Sequence, residues 1–154
     1  VTRYQFALAG LEASPYGFAV VVFHTVPFTH TMRVRLGAID AQPLASELAG
    51  IQTVRSRLAG TIRILAERLD GTLSAVRLRR GTGNMVEAEL VIVTPLDEIT
   101  TPVTFGDAVA IALANKLPIY GDESLALLLQ VAERTEGDEE IVLPSALESF
   151  LGSL

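Results

Sequence analysis

Thr72-Leu73-Ser74-Ala75-Val76-Arg77-Leu78-Arg79-Arg80, then Gly81-Thr82-Gly83-Asn84, then Val86-Glu87-Ala88-Glu89-Leu90-Val91-Ile92: these residues decide the fold class. The first run predicts a strand over Thr72 to Arg80. Gly and Asn accept positive φ, so the middle tetrad predicts a hairpin turn. On the return run Val86, Ala88, Leu90 and Ile92 alternate with Glu87, Glu89 and Val91, which is a strand period. Arg77 and Arg79 share a parity, as do Glu87 and Glu89. A register that sets them on one face makes a cross-strand charge ladder. The competing reading has Arg77, Arg79 and Arg80 bind nucleic-acid phosphates.

Upstream, Tyr4, Phe6 and Leu8 alternate with smaller or polar neighbours, and Ser14-Pro15-Tyr16-Gly17 is turn chemistry. Phe18 to Phe23 reads as a buried strand antiparallel to the first. Met32, Val34 and Leu36 alternate with Arg33 and Arg35, a strand with one cationic face. Asp40 can cap a helix running to about Leu48, with Pro43 placed in its first turn. Thr53 caps a second helix, whose Val54, Leu58, Ile62, Leu65 and Leu69 form a single stripe for the core, ended by Asp70-Gly71.

Downstream, Pro95 and Pro102 bracket an expected loop. Thr104 and Asp107 have the spacing of a capping box for an apolar helix through Lys116. Leu117 to Tyr120 reads as a short strand and Glu123 to about Arg134 as a helix capped by Asp122. Glu136 to Glu140 reads as an acidic link, and Ser145 as the start of a short helix carrying Leu147, Phe150 and Leu151 on one side. The fold class expected is α+β: a single domain, a mixed, mostly antiparallel sheet with helices packed against it. That domain covers residues 1–135, and residues 136–154 follow as link and C-terminal helix.

Composition agrees with a packed domain. The chain has 154 residues, 49% of them hydrophobic, with a formal net charge of -6. It has no cysteine, which excludes disulfides, thiolate metal sites and a cysteine nucleophile. The longest apolar runs, Phe18 to Phe23, Ala108 to Ala114 and Leu125 to Leu129, fall far short of the ~20 residues that span a bilayer. A cytoplasmic location, no membrane partner and a homo-oligomer, a dimer built through the C-terminal stripe, are the expectations that follow. Charge is divided unevenly: residues 1–80 carry +5 and residues 81–154 carry -11. Arg supplies eleven of the twelve cations. An acidic chain is a poor general nucleic-acid binder, so nucleic acid is expected to bind weakly and through a local basic face.

The chemistry available is narrow. His24 and His30 lack the spacing that aims two ligands together. No Walker loop, dinucleotide fingerprint or nucleophile elbow occurs. Carboxylates remain: Asp40, Glu47, Glu87, Glu89 and Asp107 offer the oxygen ligands that Mg²⁺ prefers. Each also has an ordinary role, Asp40 and Asp107 as caps, Glu47 as a helix surface charge, Glu87 and Glu89 as partners of Arg.

Val103-Thr104-Phe105-Gly106-Asp107-Ala108-Val109-Ala110-Ile111-Ala112-Leu113, with Leu117-Pro118-Ile119-Tyr120 after it, resembles the most characteristic segment of the bifunctional nuclease domain family. Members read Arg-Pro-Ser-Asp-Ala-Ile-Ala-Leu-Ala and then Pro-Ile-Tyr or Pro-Ile-Phe. Arg35-Leu36-Gly37-Ala38-Ile39-Asp40-Ala41 resembles the family's Ile-Gly-Pro-x-Glu-Ala turn, and Leu69-Asp70-Gly71-Thr72 its Asp-Gly-Thr strand start. The resemblance runs from about residue 4 to 130. Asp107 matches the family pattern. The family's Arg falls on Thr104, its Pro on Phe105, its Ser on Gly106 and its Glu on Asp40. The resemblance implies phosphodiester hydrolysis of DNA and RNA; a metal-assisted nuclease here would use Asp40 and Asp107 as its catalytic candidates, with Arg77, Arg79 and Arg80 as the nucleic-acid contacts and Mg²⁺ or Mn²⁺ as the cofactor. The metal itself is not fixed by the sequence. The alternative is a non-catalytic oligomeric module that binds protein or a small ligand.

Overall fold

A computed structural model describes residues 3–132. Its strands are β1 (Arg3–Ala13), β2 (Phe18–Thr25), β3 (His30–Gly37), β4 (Thr72–Arg80), β5 (Val86–Val93), β6 (Glu98–Val103), β7 (Ile119–Asp122) and β8 (Leu129–Val131). The helices are α1 (Ala38–Leu48), α2 (Val54–Arg68) and α3 (Phe105–Asn115). The strands form one sheet in the order β6-β5-β4-β7-β1-β2-β3-β8. Every neighbouring pair is antiparallel except β4 and β7, which run parallel. The α3 segment makes the crossover that a parallel pair requires. The fold is α+β, as the alternation of the hairpin implied.

The β4–β5 register pairs Arg77 with Glu89 and Arg79 with Glu87, so the expected charge ladder forms. The same register sets Val76 opposite Leu90 and Leu78 opposite Ala88, all buried on the other face. There α3 lies down with Ala108 and Val109 fully buried. A chain of edge-to-face rings, Phe6 to Phe23 to Phe105, ties the sheet to the first turn of α3, each step 6.0 Å between centroids. Such pairs add about 0.5–1.5 kcal/mol beyond the area they bury.

Four expectations need correction. Pro95 and Pro102 do not bracket a plain loop: Glu98–Val103 is an edge strand, where a proline's missing N–H can face outward without breaking a ladder. Asp40 is not the cap of α1. Gly37 takes that place with an extended backbone, Asp40 is the third helical residue, and Pro43 falls in the second turn rather than the first. The segment after Asp122 is a 3-10 helix, Glu123–Leu128, followed by β8, because Leu129 pairs with Met32 on the open edge of β3. Of the α2 stripe only Ile62 packs against the core. Val54 is 74% exposed and Leu69 78%, while Ala59 and Ala66 are buried. The small residues win because they let α2 come close: Asn115 Nδ2 at the end of α3 donates to the Ala59 carbonyl at 3.2 Å.

The caps at Thr53 and Asp122 form as expected. Thr53 Oγ1 accepts from Ser56 N at 3.2 Å and Ser56 Oγ accepts from Thr53 N at 2.7 Å, a reciprocal capping box. Asp122 Oδ1 accepts from Ser124 N at 2.9 Å. Among the described residues no helix is long and apolar enough to cross a membrane. The acidic link and the helix expected from Ser145 lie outside the described residues.

Candidate functional site

The first turns of α1 and α3 meet edge on. In each helix an acid is the third residue, Asp40 after Gly37 and Asp107 after Thr104. An acid in a first turn faces the positive end of the helix dipole. The contact between the turns is made by Gly106. A Cβ at this position would collide with the backbone carbonyl oxygen of Asp40, with the Asp40 carbonyl carbon at 3.3 Å and its Cβ at 3.6 Å. Asp40 and Asp107 therefore stand on two helix starts that touch. Asp40 is exposed and Asp107 half-buried.

Thr104 does not cap α3 with its side chain. Its hydroxyl donates instead to Asp107 Oδ2 at 2.9 Å, so the expected box is replaced by one side-chain bond that orients the carboxylate. Asp107 then lines a cleft of about 470 Å³ between the three helices and the end of β6. Leu58, Ile62, Val103 and Ile111 make its apolar wall, and Glu47 lies within it. Burial pushes the Glu47 carboxyl above its ordinary 4.5, opposed in part by a hydrogen bond with Ser56. At the Glu47 end the cleft opens into a polar recess of about 350 Å³ with Arg63, Asn115 and Lys116.

Glu47, expected as a helix surface charge or an oxygen ligand, is half-buried, and the seating of α2 against α3 places it in the cleft wall. Its place in the cleft wall puts a partly desolvated carboxyl beside the space that Asp107 also lines. Asp40 and Asp107 offer hard oxygen donors, and Mg²⁺ often takes only one or two carboxylates and keeps its waters. By kind these donors suit Mg²⁺ or Mn²⁺, but Asp40 does not line the cleft with Asp107, and no cluster of three or more ligand-type side chains occurs among the described residues.

The arginine candidates sit elsewhere, on the face of the sheet away from the helices. Arg77 binds Glu89 at 3.3 Å and Glu98 at 2.9 Å. The hydrogen bond to Glu98 leads in pushing the Arg77 pKa further up, against a weaker pull from desolvation. Arg79 Nε donates to Glu87 at 2.9 Å, and Arg80 reaches Asn84 Oδ1 at 3.3 Å. Two of the three cations are matched by carboxylates, and none lines the cleft. His30 Nδ1 bonds Thr29 Oγ1 at 2.9 Å, and the His24 ring packs on Phe28 at 4.0 Å. Neither histidine lines the cleft.

No curated protein matches the chain. The family model of the bifunctional nuclease domain matches residues 21–133, from β2 past β8, and so takes in both helix starts and the cleft between them. Over most of its length, then, the chain belongs to the bifunctional nuclease domain family.

Proposed function

We propose that the chain hydrolyses phosphodiester bonds of DNA or RNA at the junction of α1, α2 and α3. The observation that carries this reading is the contact at Gly106, which joins the Asp40 and Asp107 helix starts beside a cleft holding a third carboxyl, Glu47. Asp40 and Asp107 would hold Mg²⁺ or Mn²⁺, which when bound neutralises charge on the phosphoryl oxygens. Thr104 keeps the Asp107 carboxylate turned by its hydroxyl. Glu47 handles the proton that the attacking or leaving oxygen exchanges. Arg63 and Lys116 at the polar recess attract the neighbouring phosphate in place of the family's Arg.

The test is a cleavage assay on single-stranded and duplex DNA and on RNA, with Mg²⁺, Mn²⁺ or a chelator. Wild type should cleave with metal and not with chelator. Asp107→Asn should lose cleavage while keeping its melting curve. Wild type inert on every substrate in both metals would sink the proposal.

A second reading has its own support: Thr104 and Gly106 replace the Arg and Ser of the family pattern, and the sheet arginines are matched by glutamates. In that reading the module is a non-catalytic homodimer whose cleft binds a ligand. Inert wild type together with a dimer mass in light scattering would favour it.

A further inference from the structure

At 100° per residue, Val54, Leu58, Leu65 and Leu69 fall within an arc of about 60° on α2. All four are more than half exposed. Arg57 and Arg68, both exposed, border the same arc on one side. One Val and three Leu side chains in one row, the last at the C-cap, are more apolar surface than a helix normally leaves in water. We propose that this stripe is the docking surface for the chain's own C-terminal segment, residues 136–154.

Charge and pattern select that occupant. Residues 136–154 carry Glu136, Asp138, Glu139, Glu140 and Glu148 and no cation. Helix α2 carries Arg55, Arg57, Arg63 and Arg68 against Glu67 alone. The segment's apolar residues, Ile141, Val142, Leu143, Leu147, Phe150 and Leu151, match the stripe in kind, and its acids match the arginines in sign. A second copy of α2 is a poorer occupant, because a two-fold contact sets each patch against itself and so cation against cation. The segment is long enough to lie along the stripe: ten extended residues reach ~33 Å, more than the ~22 Å of α2 itself. Tethering also keeps the segment at an effective concentration near millimolar. The family match ends at residue 133, so the device belongs to this chain's extension. Leu58 belongs both to the stripe and to the cleft wall, which sets the docked segment beside the cleft mouth.

The absence of cysteine makes the test clean. Ser153→Cys gives a single point for a nitroxide spin label in the full chain. Amide resonances of α2 should broaden, and hydrogen exchange at residues 145–151 should be slowed at least ~10-fold relative to an unstructured chain. Both effects should vanish in Leu65→Glu/Arg68→Glu, whose changed side chains are exposed, and in Phe150→Asp, which leaves α2 untouched. Unbroadened α2 amides with fast exchange in the unaltered sequence would overturn the proposal. Broadening that appears only when labelled and isotope-enriched chains are mixed would overturn docking within one chain. The readouts are structural, so nuclease activity, present or absent, does not enter them.

Discussion

Gly106→Ala should destabilise the protein although alanine is the better helix former. Replacing a helical glycine is worth at most about 0.5–1 kcal/mol in alanine's favour, and Gly106 is only the second residue of α3. Against that stands the clash with the Asp40 carbonyl, which is backbone of a packed helix and cannot swing aside as a side chain would. Overpacking of this kind costs about 1–3 kcal/mol. The net is a loss of roughly 1–2 kcal/mol, or about 3–6 °C in melting temperature for a domain this size. Gly60 is the internal control. It too lies inside a helix, α2, but a Cβ there meets nothing within 4 Å. Gly60→Ala should therefore gain the propensity in full and raise the melting temperature by about 1–4 °C. Differential scanning calorimetry of the two variants beside wild type reads the opposite signs directly. Gly106→Ser, which installs the residue of the family pattern, should fall with Gly106→Ala. A Gly106→Ala protein melting at or above wild type would show that α1 and α3 do not touch at Asp40, and the carboxylate site built on that contact would fall with it.

Other outcomes follow from single groups. Asp107→Asn should lower cleavage roughly 10²-fold or more and leave melting within a few degrees, checked by turnover and calorimetry on one preparation. Glu47→Gln should raise the melting temperature at pH 7 and leave it unchanged at pH 3: burial raises the folded-state pKa above 4.5, so the ionised carboxyl weakens the fold once pH exceeds that raised value, and protonation removes the penalty on the acid side. Melting curves across that range check the sign. Replacing Arg77, Arg79 and Arg80 together by Ala should leave the salt dependence of any DNA binding unchanged, because Glu87, Glu89 and Glu98 already match two of these cations; a slope flatter by ~0.9 per lost phosphate contact in a titration would refute this.

The fold was legible where local pattern and global packing agree. Alternation in Val86 to Ile92 and the positive-φ residues Gly83 and Asn84 were enough for the hairpin, and the parity of Arg77 with Glu89 was enough for the ladder. The apolar run after Phe105 was enough for a buried α3. Periodicity failed on α2, because it counts large apolar residues and α2 packs through Ala59 and Ala66, with no term for how close two helices can come. It failed after Asp122 because Leu125, Leu128 and Leu129 suit a helix face as well as the turn and strand they adopt, and the open edge of β3 decided between them. At the candidate site Asp40 and Asp107 were visible as acids at helix starts. Glu47 was visible as a carboxylate, but its place in the cleft wall was not, since that depends on three helices at once.

The departures from the family pattern look like separate losses in sequence, yet two of them meet at one atom pair. Where the family pattern has Ser, this chain has Gly106, and where it has Glu, Asp40; the missing Cβ of the first lies against the backbone of the second. Removing a side chain at 106 brings the α1 carbonyl into the space that Ser would fill. With the helix starts that close, the shorter acid keeps its carboxylate nearer the helix axis than Glu would. Thr104 completes the adjustment: a side chain too short to reach a phosphate as Arg does is long enough to hold Asp107. On the function proposed above, the one matching acid, Asp107, is still held in place by a neighbouring side chain. Because the contact is with the Asp40 carbonyl and not with its carboxylate, Asp40→Glu should not relieve it. Gly106→Ser should lower melting by the same amount whether Asp or Glu stands at 40, so a double-mutant cycle should close to within about 0.3–0.5 kcal/mol. An interaction energy of roughly 1 kcal/mol or more in favour of the pair would show that the side chain at 40, rather than the backbone, sets the contact between the helix starts.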